Sequence, residues 1–490
     1  MVFNSYIFLI FFPIVVLIHF LLPKRVQYLW LLAASYYFYM NWDARYVLLL
    51  LFSTAVTYLS GIAMEKVRTD RARKSVVAVS FVLNVGVLFF FKYFNFAVDS
   101  LNFVLMHIGL AVPKPDFNLL LPVGISFYTF QALSYTMDVY RKDIAAERNF
   151  FRYALFVSFF PQLVAGPIER SKNLLSQVNE THRFDYDKMR EGLLIMLWGY
   201  FLKLVVADRV AIVVNTVYGD PTQYGGAYIA VASVLFAVQI YCDFAGYSTI
   251  AIGAAKILGF QLMENFDCPY FALSIGEFWR RWHISLSSWF RDYLYIPLGG
   301  NRKGKLIKYR NLMIVFLVSG LWHGAAGTYV VWGLIHGVYQ VIGSVTRPVR
   351  DRINEVLELN PQSIGHKLIS GMITFGLVDL AWIFFRAESI GAAVSMIKSM
   401  LHIGNIGILL KGGLYELGLN SKNMKVLFFS ILVILFADYM KYKGIKIRET
   451  IIAQELWCRW LCYLAAFWFI LIFGVWGGNY DASSFIYFQF

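Results

Sequence analysis

Nine stretches of this chain are apolar for about the length needed to cross a bilayer, and that repetition constrains the fold more than any single motif. A hydrocarbon core of about 30 Å takes roughly 20 apolar residues of helix. Tyr6–Leu22, Tyr46–Met64, Val76–Val98, Gly192–Val217, Tyr228–Ile252, Leu312–Ile342, His366–Phe385, Val426–Met440 and Trp460–Val475 meet or approach that length. Tyr28–Met40, Leu119–Tyr140 and Tyr153–Val164 are shorter and read as tilted or re-entrant segments. Only 15% of the residues are charged, against about 25% in a soluble domain. The pattern predicts an all-α polytopic membrane protein with roughly ten or more membrane segments. The two-residue alternation of a membrane β-barrel is missing from these runs. Met1–Phe12 lacks a basic start and no small-residue cleavage site follows, so the first run is expected to stay as a membrane helix. The longest polar connections, Ile168–Met189, Arg347–Ser363 and Lys411–Lys425, are too short to fold alone. One membrane domain over residues 1–490 is expected.

The net charge of +14 would suggest nucleic acid in a soluble protein. Here the positive-inside rule accounts for it. Basic residues cluster between apolar runs, at Lys66–Lys74, Arg141–Arg152, Arg302–Arg310, Arg347–Arg352 and Lys441–Arg448. These loops are assigned to the cytoplasmic side, and no nucleic-acid partner is expected. The four cysteines make no disulfide framework. Cys458 and Cys462, one helical turn apart, read as small side chains in a helix.

Against this apolar background two polar breaks stand out, and polar groups at such positions mark sites of chemistry or transport. The first is Ser274–Asn301, SIGEFWRRWHISLSSWFRDYLYIPLGGN. Pro269 ends the preceding helix, and Ser274 with Glu277 fits a capping box. Ile275, Trp279, Trp282, Leu286, Trp289 and Tyr293 then recur at helical spacing, which predicts one amphipathic helix ending near Pro297, at the cytoplasmic interface or lining a funnel. The second break lies in Leu312–Ile342. As one straight helix it would measure about 46 Å at 1.5 Å per residue, more than the bilayer's hydrocarbon. Gly320, Gly324 and Gly327 surround His323, so a tight hairpin is predicted there, with His323 at a buried polar cavity.

Of eight histidines, His19, His107, His182, His366 and His402 lie near segment ends or in loops, and His336 reads as a structural residue bonded to a neighbouring helix. His283 and His323 remain. An imidazole titrates near neutrality, so it can take a proton from a hydroxyl and return one to a leaving group; the plainer reading of each is a satisfied core histidine. No third ligand at a recognisable spacing supports a metal site, and no G-x-S-x-G supports a serine nucleophile. Asp243, Asp379 and Arg386 are read as ion-paired or pocket-lining.

FWRRWHISLSSWFRDYLYIPLGGNRKG (Phe278–Gly304) followed by GLWHGA (Gly320–Ala325) resembles the membrane-bound O-acyltransferase family, and within it the bacterial alginate O-acetyltransferase-like branch. Similar matches are NSYIFLIFFPIV at the N-terminus, KYFNFAVDS (Lys92–Ser100), LPVGISFYTFQALSYTMDVYR (Leu121–Arg141), FFPQLVAGPIER (Phe159–Arg170), YCDFAGYSTIAIG (Tyr241–Gly253), WIFFRA (Trp382–Ala387) and the C-terminal FIYFQF. The resemblance covers nearly the whole chain. It implies a helical bundle with re-entrant and interfacial helices around a central tunnel, in a bacterial inner membrane. It also implies acyl transfer to a hydroxyl, with His323 at the family's catalytic position and His283 at a second important one.

The resemblance further implies acetyl transfer across the membrane to an exopolysaccharide or cell-wall glycan. No permanently bound cofactor or metal is expected. Acetyl-CoA would enter from the cytoplasm near Arg280 and Arg281, and His323 would act as general base. His283 would position the donor, stabilise the oxyanion or relay a proton. Trp282, Ser285, Ser287, Trp322 and Asp243 are the expected tunnel-lining or substrate-contacting residues. An extracytoplasmic transferase partner is expected to complete the modification. The rival within the class is D-alanyl transfer to teichoic acid; outside it, a polysaccharide transporter using the histidines as proton relays, or a non-catalytic scaffold.

Overall fold

A computed structural model describes residues 1–110, 112, 121–402, 404, 407, 412–476 and 486. The C-terminal FIYFQF, apart from Ile486, lies outside the described residues, as do residues 119 and 120 of the Leu119–Tyr140 run and Lys411. The described chain is helical throughout, with no strand.

Six of its helices, counting runs that continue through a 3-10 or π turn, are long and apolar enough to cross a membrane: Ala44–Lys66, Asp70–Ile108, Gly226–Ile257, Ile364–Arg386, Ser421–Tyr442 and Leu456–Phe473. Each matches one of the nine long apolar runs. The other three are short or broken. Tyr6–Leu21 has 16 residues. Gly192–Val217 is interrupted by a π-helical stretch at Phe201–Ala207. Leu312–Ile342 folds back at Gly324–Ala326, as its excess length requires. Tyr153–Val164 is also broken, at Phe159.

The helices gather into two compact units. Among the described residues, the first comprises those of 1–196 and 248–263 with Ile486. Hydroxyl and amide side chains join its helices where hydrophobicity gives no preference between protein and lipid: Ser53 donates to Asn84 (2.5 Å), Tyr153 to Thr57 (2.7 Å), and Gln162 to Gln131 (2.8 Å). The second unit comprises residues 197–247 and 264–481. Buried ions brace it. Lys203 lies 2.6 Å from Asp243 and 2.9 Å from Asp208, and all three are buried. Asp379 accepts from Ser233 (2.6 Å) and Asp438 from Tyr241 (2.9 Å). Arg386 donates to Asn215 at 2.9 Å, so Asp379 and Arg386 each bond a different helix.

The predicted single amphipathic helix after Ser274 is two helices. Ile275–Arg281 ends at Trp282, and Ile284–Phe290 restarts after His283, whose backbone is left-handed (φ 42°, ψ 54°). The capping serine is as predicted: Glu277 N donates to Ser274 Oγ at 3.2 Å. The glutamate, however, reaches past the cap to accept from Leu273 N at 2.9 Å. The helical spacing of the aromatic stripe runs through the break because the cause lies elsewhere in the chain, in Asn265.

Candidate active site

His323 is the last residue of Lys305–His323, the first arm of the hairpin. Its position depends on how closely the second arm, Gly327–Val345, approaches. The contact is made by glycines. A Cβ on Gly320 would fall 2.3 Å from the carbonyl oxygen of Tyr329, and one on Gly333 would fall 2.3 Å from that of Phe316. Side chains at either position would push the arms apart, which is the reason small residues mark close helix crossings. The imidazole is 4% exposed. It meets Trp322 (4.9 Å between ring centroids), Trp332 (5.1 Å) and Phe385 (5.3 Å).

His283 is held differently. A non-glycine residue in the left-handed region costs about 1–3 kcal/mol and persists only where its surroundings over-determine it. Asn265 does so. Its backbone oxygen accepts from Ile284 N at 3.0 Å. Its side-chain oxygen accepts from Ser285 N (3.2 Å) and Ser285 Oγ (2.9 Å), and lies 3.1 Å from His283 Nδ1. A backbone N–H can only donate, so the Asn265 atom at this junction is the oxygen. His283 Nδ1 must then carry the proton, and the neutral ring keeps its lone pair on Nε2. His283 is fully buried and lies outside the six long helices; burial pushes its imidazole down to about 3, so the ring is neutral at physiological pH.

The two imidazoles come together with centroids 6.3 Å apart. Phe244 (4.6 Å) and Trp322 (5.9 Å) flank His283. Beyond them Trp332 stacks on Trp382 (5.6 Å), and Trp382 meets Trp282 (5.1 Å). His336, buried, accepts from Trp279 Nε1 at 3.2 Å across to the helix Ile275–Arg281, the structural role read for it. The result is an aromatic enclosure around the two imidazoles.

The remaining predicted residues divide. Trp322 touches both imidazoles, and Trp282 lies one ring further out. Ser285 is engaged by Asn265, and Ser287 Oγ donates to the backbone oxygen of Trp282 at 3.3 Å. Asp243 is tied to Lys203. Arg281 pairs with Glu277 (3.0 Å) and Asp267 (3.2 Å), whereas Arg280 is exposed. Sequence reasoning missed Asn265, Lys203, Phe244, Trp332 and Phe385. Asn265 had one visible signal, a polar MENFD segment just before Pro269. Lys203, a lone cation in an apolar run, had the same kind of signal as Asp243.

Residues 143–356, which include both histidines, match the model of the membrane-bound O-acyltransferase family. Over 411 residues the chain is 42% identical to the probable alginate O-acetylase AlgI of Pseudomonas putida, covering 83% of this chain and 81% of that protein. It is 34% identical to the peptidoglycan O-acetyltransferase of Helicobacter pylori, covering 79% and 75%. It is 27% identical to the teichoic acid D-alanyltransferase of Bacillus subtilis, covering 56% and 71%.

Proposed function

The chain belongs to the membrane-bound O-acyltransferase family, and from that premise we propose that this multi-pass membrane acyltransferase moves an acetyl group from acetyl-CoA to a hydroxyl, as a step in O-acetylating an exopolysaccharide or cell-wall glycan. The identity to two acetyl-transferring relatives over most of the chain supports acetyl as the group. The observation that carries the mechanism is the meeting of two imidazoles inside a tryptophan-lined enclosure.

In this reading His323 is the general base. It takes the proton of the acceptor hydroxyl as that oxygen attacks the thioester carbonyl. The tetrahedral oxyanion collapses, the carbon–sulfur bond breaks, and the imidazolium returns its proton to the departing thiolate. His283, with its proton held on Nδ1 by Asn265, offers a lone pair. It therefore accepts the hydroxyl's single hydrogen bond as the acceptor docks and gives it up to His323 when the oxygen attacks, rather than donating one to the oxyanion. Rings 6.3 Å apart are close enough for one oxygen to lie about 3 Å from a nitrogen of each. The aromatic wall keeps out water, which would otherwise hydrolyse the thioester. The donor enters from the cytoplasmic side of an inner membrane, where exposed Arg280 suits its phosphates, and a separate extracytoplasmic transferase finishes the modification.

The test is labelled acetyl-CoA and a polysaccharide acceptor supplied to the full chain in lipid nanodiscs. Wild type transfers label, and His323→Ala loses about 10²–10⁴-fold in rate while eluting as a folded particle. Transfer from a D-alanyl carrier protein, with acetyl-CoA ignored, would assign the chemistry to alanylation. Acetylation unaffected by His323→Ala, with polymer export blocked, would assign the chain to transport.

A further inference from the structure

We propose that a cavity in the first unit, where the chain turns from Tyr6–Leu21 into Gln27–Met40, binds the phosphate of an anionic phospholipid headgroup. The cavity holds about 130 Å³, room for roughly four waters at about 30 Å³ each or for one phosphate group. Three cations line it, Lys24, Arg25 and Arg152, against one carboxylate, Glu180. Lys24 and Arg25 stand exposed at its rim.

The inner groups are fixed in place. Arg152 lies over the ring of Tyr28 (5.2 Å) and donates Nη1 to Asn179 at 2.8 Å. Asn179 is itself anchored to Glu147 at 2.8 Å. The Nε of Arg152 is buried with no hydrogen-bond partner among the described residues. His182 packs on Phe260 (4.0 Å), with Nε2 2.9 Å from the Gln177 oxygen. His19, also lining the cavity, is fully buried. Gln27 satisfies the carbonyl of His19 (3.0 Å) and so holds the turn closed. The 14-residue helix Gln27–Met40 starts beside the cavity with no side-chain cap, and a helix start favours negative charge.

The surroundings favour a lipid over a free ion. Phe20 meets Phe184 edge-on at 5.6 Å beside the cavity, and Leu17, Leu21 and Phe184 are more than half exposed. An apolar flank beside a basic pocket fits an acyl chain and its headgroup together. Arg152 also belongs to the basic cluster assigned to the cytoplasmic face, where anionic lipids attract cations.

Native mass spectrometry of the full chain, released from detergent after titration with phosphatidylglycerol, phosphatidylcholine or inorganic phosphate, tests the site. Wild type should retain phosphatidylglycerol in preference to phosphatidylcholine. Lys24→Ala/Arg25→Ala, which alters only exposed side chains, should weaken that retention about 30-fold. Arg152→Gln should weaken it as well. Equal retention of the two lipids by wild type, or undiminished phosphatidylglycerol in the double variant, would overturn the site. Inorganic phosphate binding through the same residues, without lipid preference, would overturn the lipid and leave a soluble anion in its place.

Discussion

The two histidines sit on segments built by opposite means. The hairpin that carries His323 is made by missing side chains: Gly320 and Gly333 let one arm's backbone lie where a Cβ would strike the other's carbonyls. The break that carries His283 is made by added ones: Asn265 gathers bonds from three consecutive residues to hold one of them left-handed. Close packing of the arms sets where the first imidazole lies, and bonds to Asn265 fix the second in space and in tautomer. The difference suits the proposed roles. A base must gain and lose its proton, and the close approach of the hairpin arms sets where it does so. A positioning imidazole is more useful in one tautomer.

The comparison can be broken most severely at the hairpin. Gly333→Leu places carbon within 2.3 Å of a backbone oxygen, and overpacking of this kind costs about 3 kcal/mol or more. Activity should vanish together with a drop in melting temperature and a loss of monodisperse protein. Normal folding with normal rate would mean that the arms separate freely and that close packing does not set the position of His323.

The break should respond more gently and more selectively. Asn265→Ala removes the acceptor for His283 Nδ1 and Ser285, leaving buried donors unsatisfied at about 1–3 kcal/mol. We expect a 10- to 100-fold loss of rate. Asn265→Asp keeps an acceptor for every donor at that junction and should restore folding. It also sets a carboxylate beside His283, which raises the affinity of that ring for a proton. Its rate should therefore acquire a new ionisation at a pH where wild type shows none. An aspartate variant as impaired as the alanine one would remove Asn265 from its positioning role.

The smallest effect is one of shape. Burial holds His283 near 3, so it stays neutral from pH 5 to 8 and protonates only well below that range. His283→Gln should lower the rate at every pH without altering the form of the pH–rate curve over pH 5–8. A wild-type inflection near neutrality that disappears in this variant would show that His283 titrates there.

How much of this was legible in the sequence follows from the same contrast. The hairpin announces itself because an apolar run longer than the bilayer is thick must bend, and glycines surround the place where it does. Six of the long apolar runs are likewise readable, since each forms its helix within its own residues. The break at His283 is not readable locally. Ile275 to Tyr293 keeps helical spacing across it, and the force that interrupts it comes from Asn265, eighteen residues earlier. Asp243 was readable in part, as ion-paired or lining, but its partner was not. A lone carboxylate in an apolar run reads as paired or as lining, and only the folded chain sets Lys203 against it. Partners that meet only on folding leave no periodicity to read.

The central claim is that the two imidazoles act on one reacting oxygen. A double-mutant cycle on acetyl transfer tests it most directly, comparing His323→Ala, His283→Ala and the combined variant against wild type in the same nanodiscs. Residues that work as a unit are strongly non-additive, so the combined variant should be no slower than His323→Ala alone. A combined loss equal to the product of the two single losses would mean that the rings act independently, and would contradict the account.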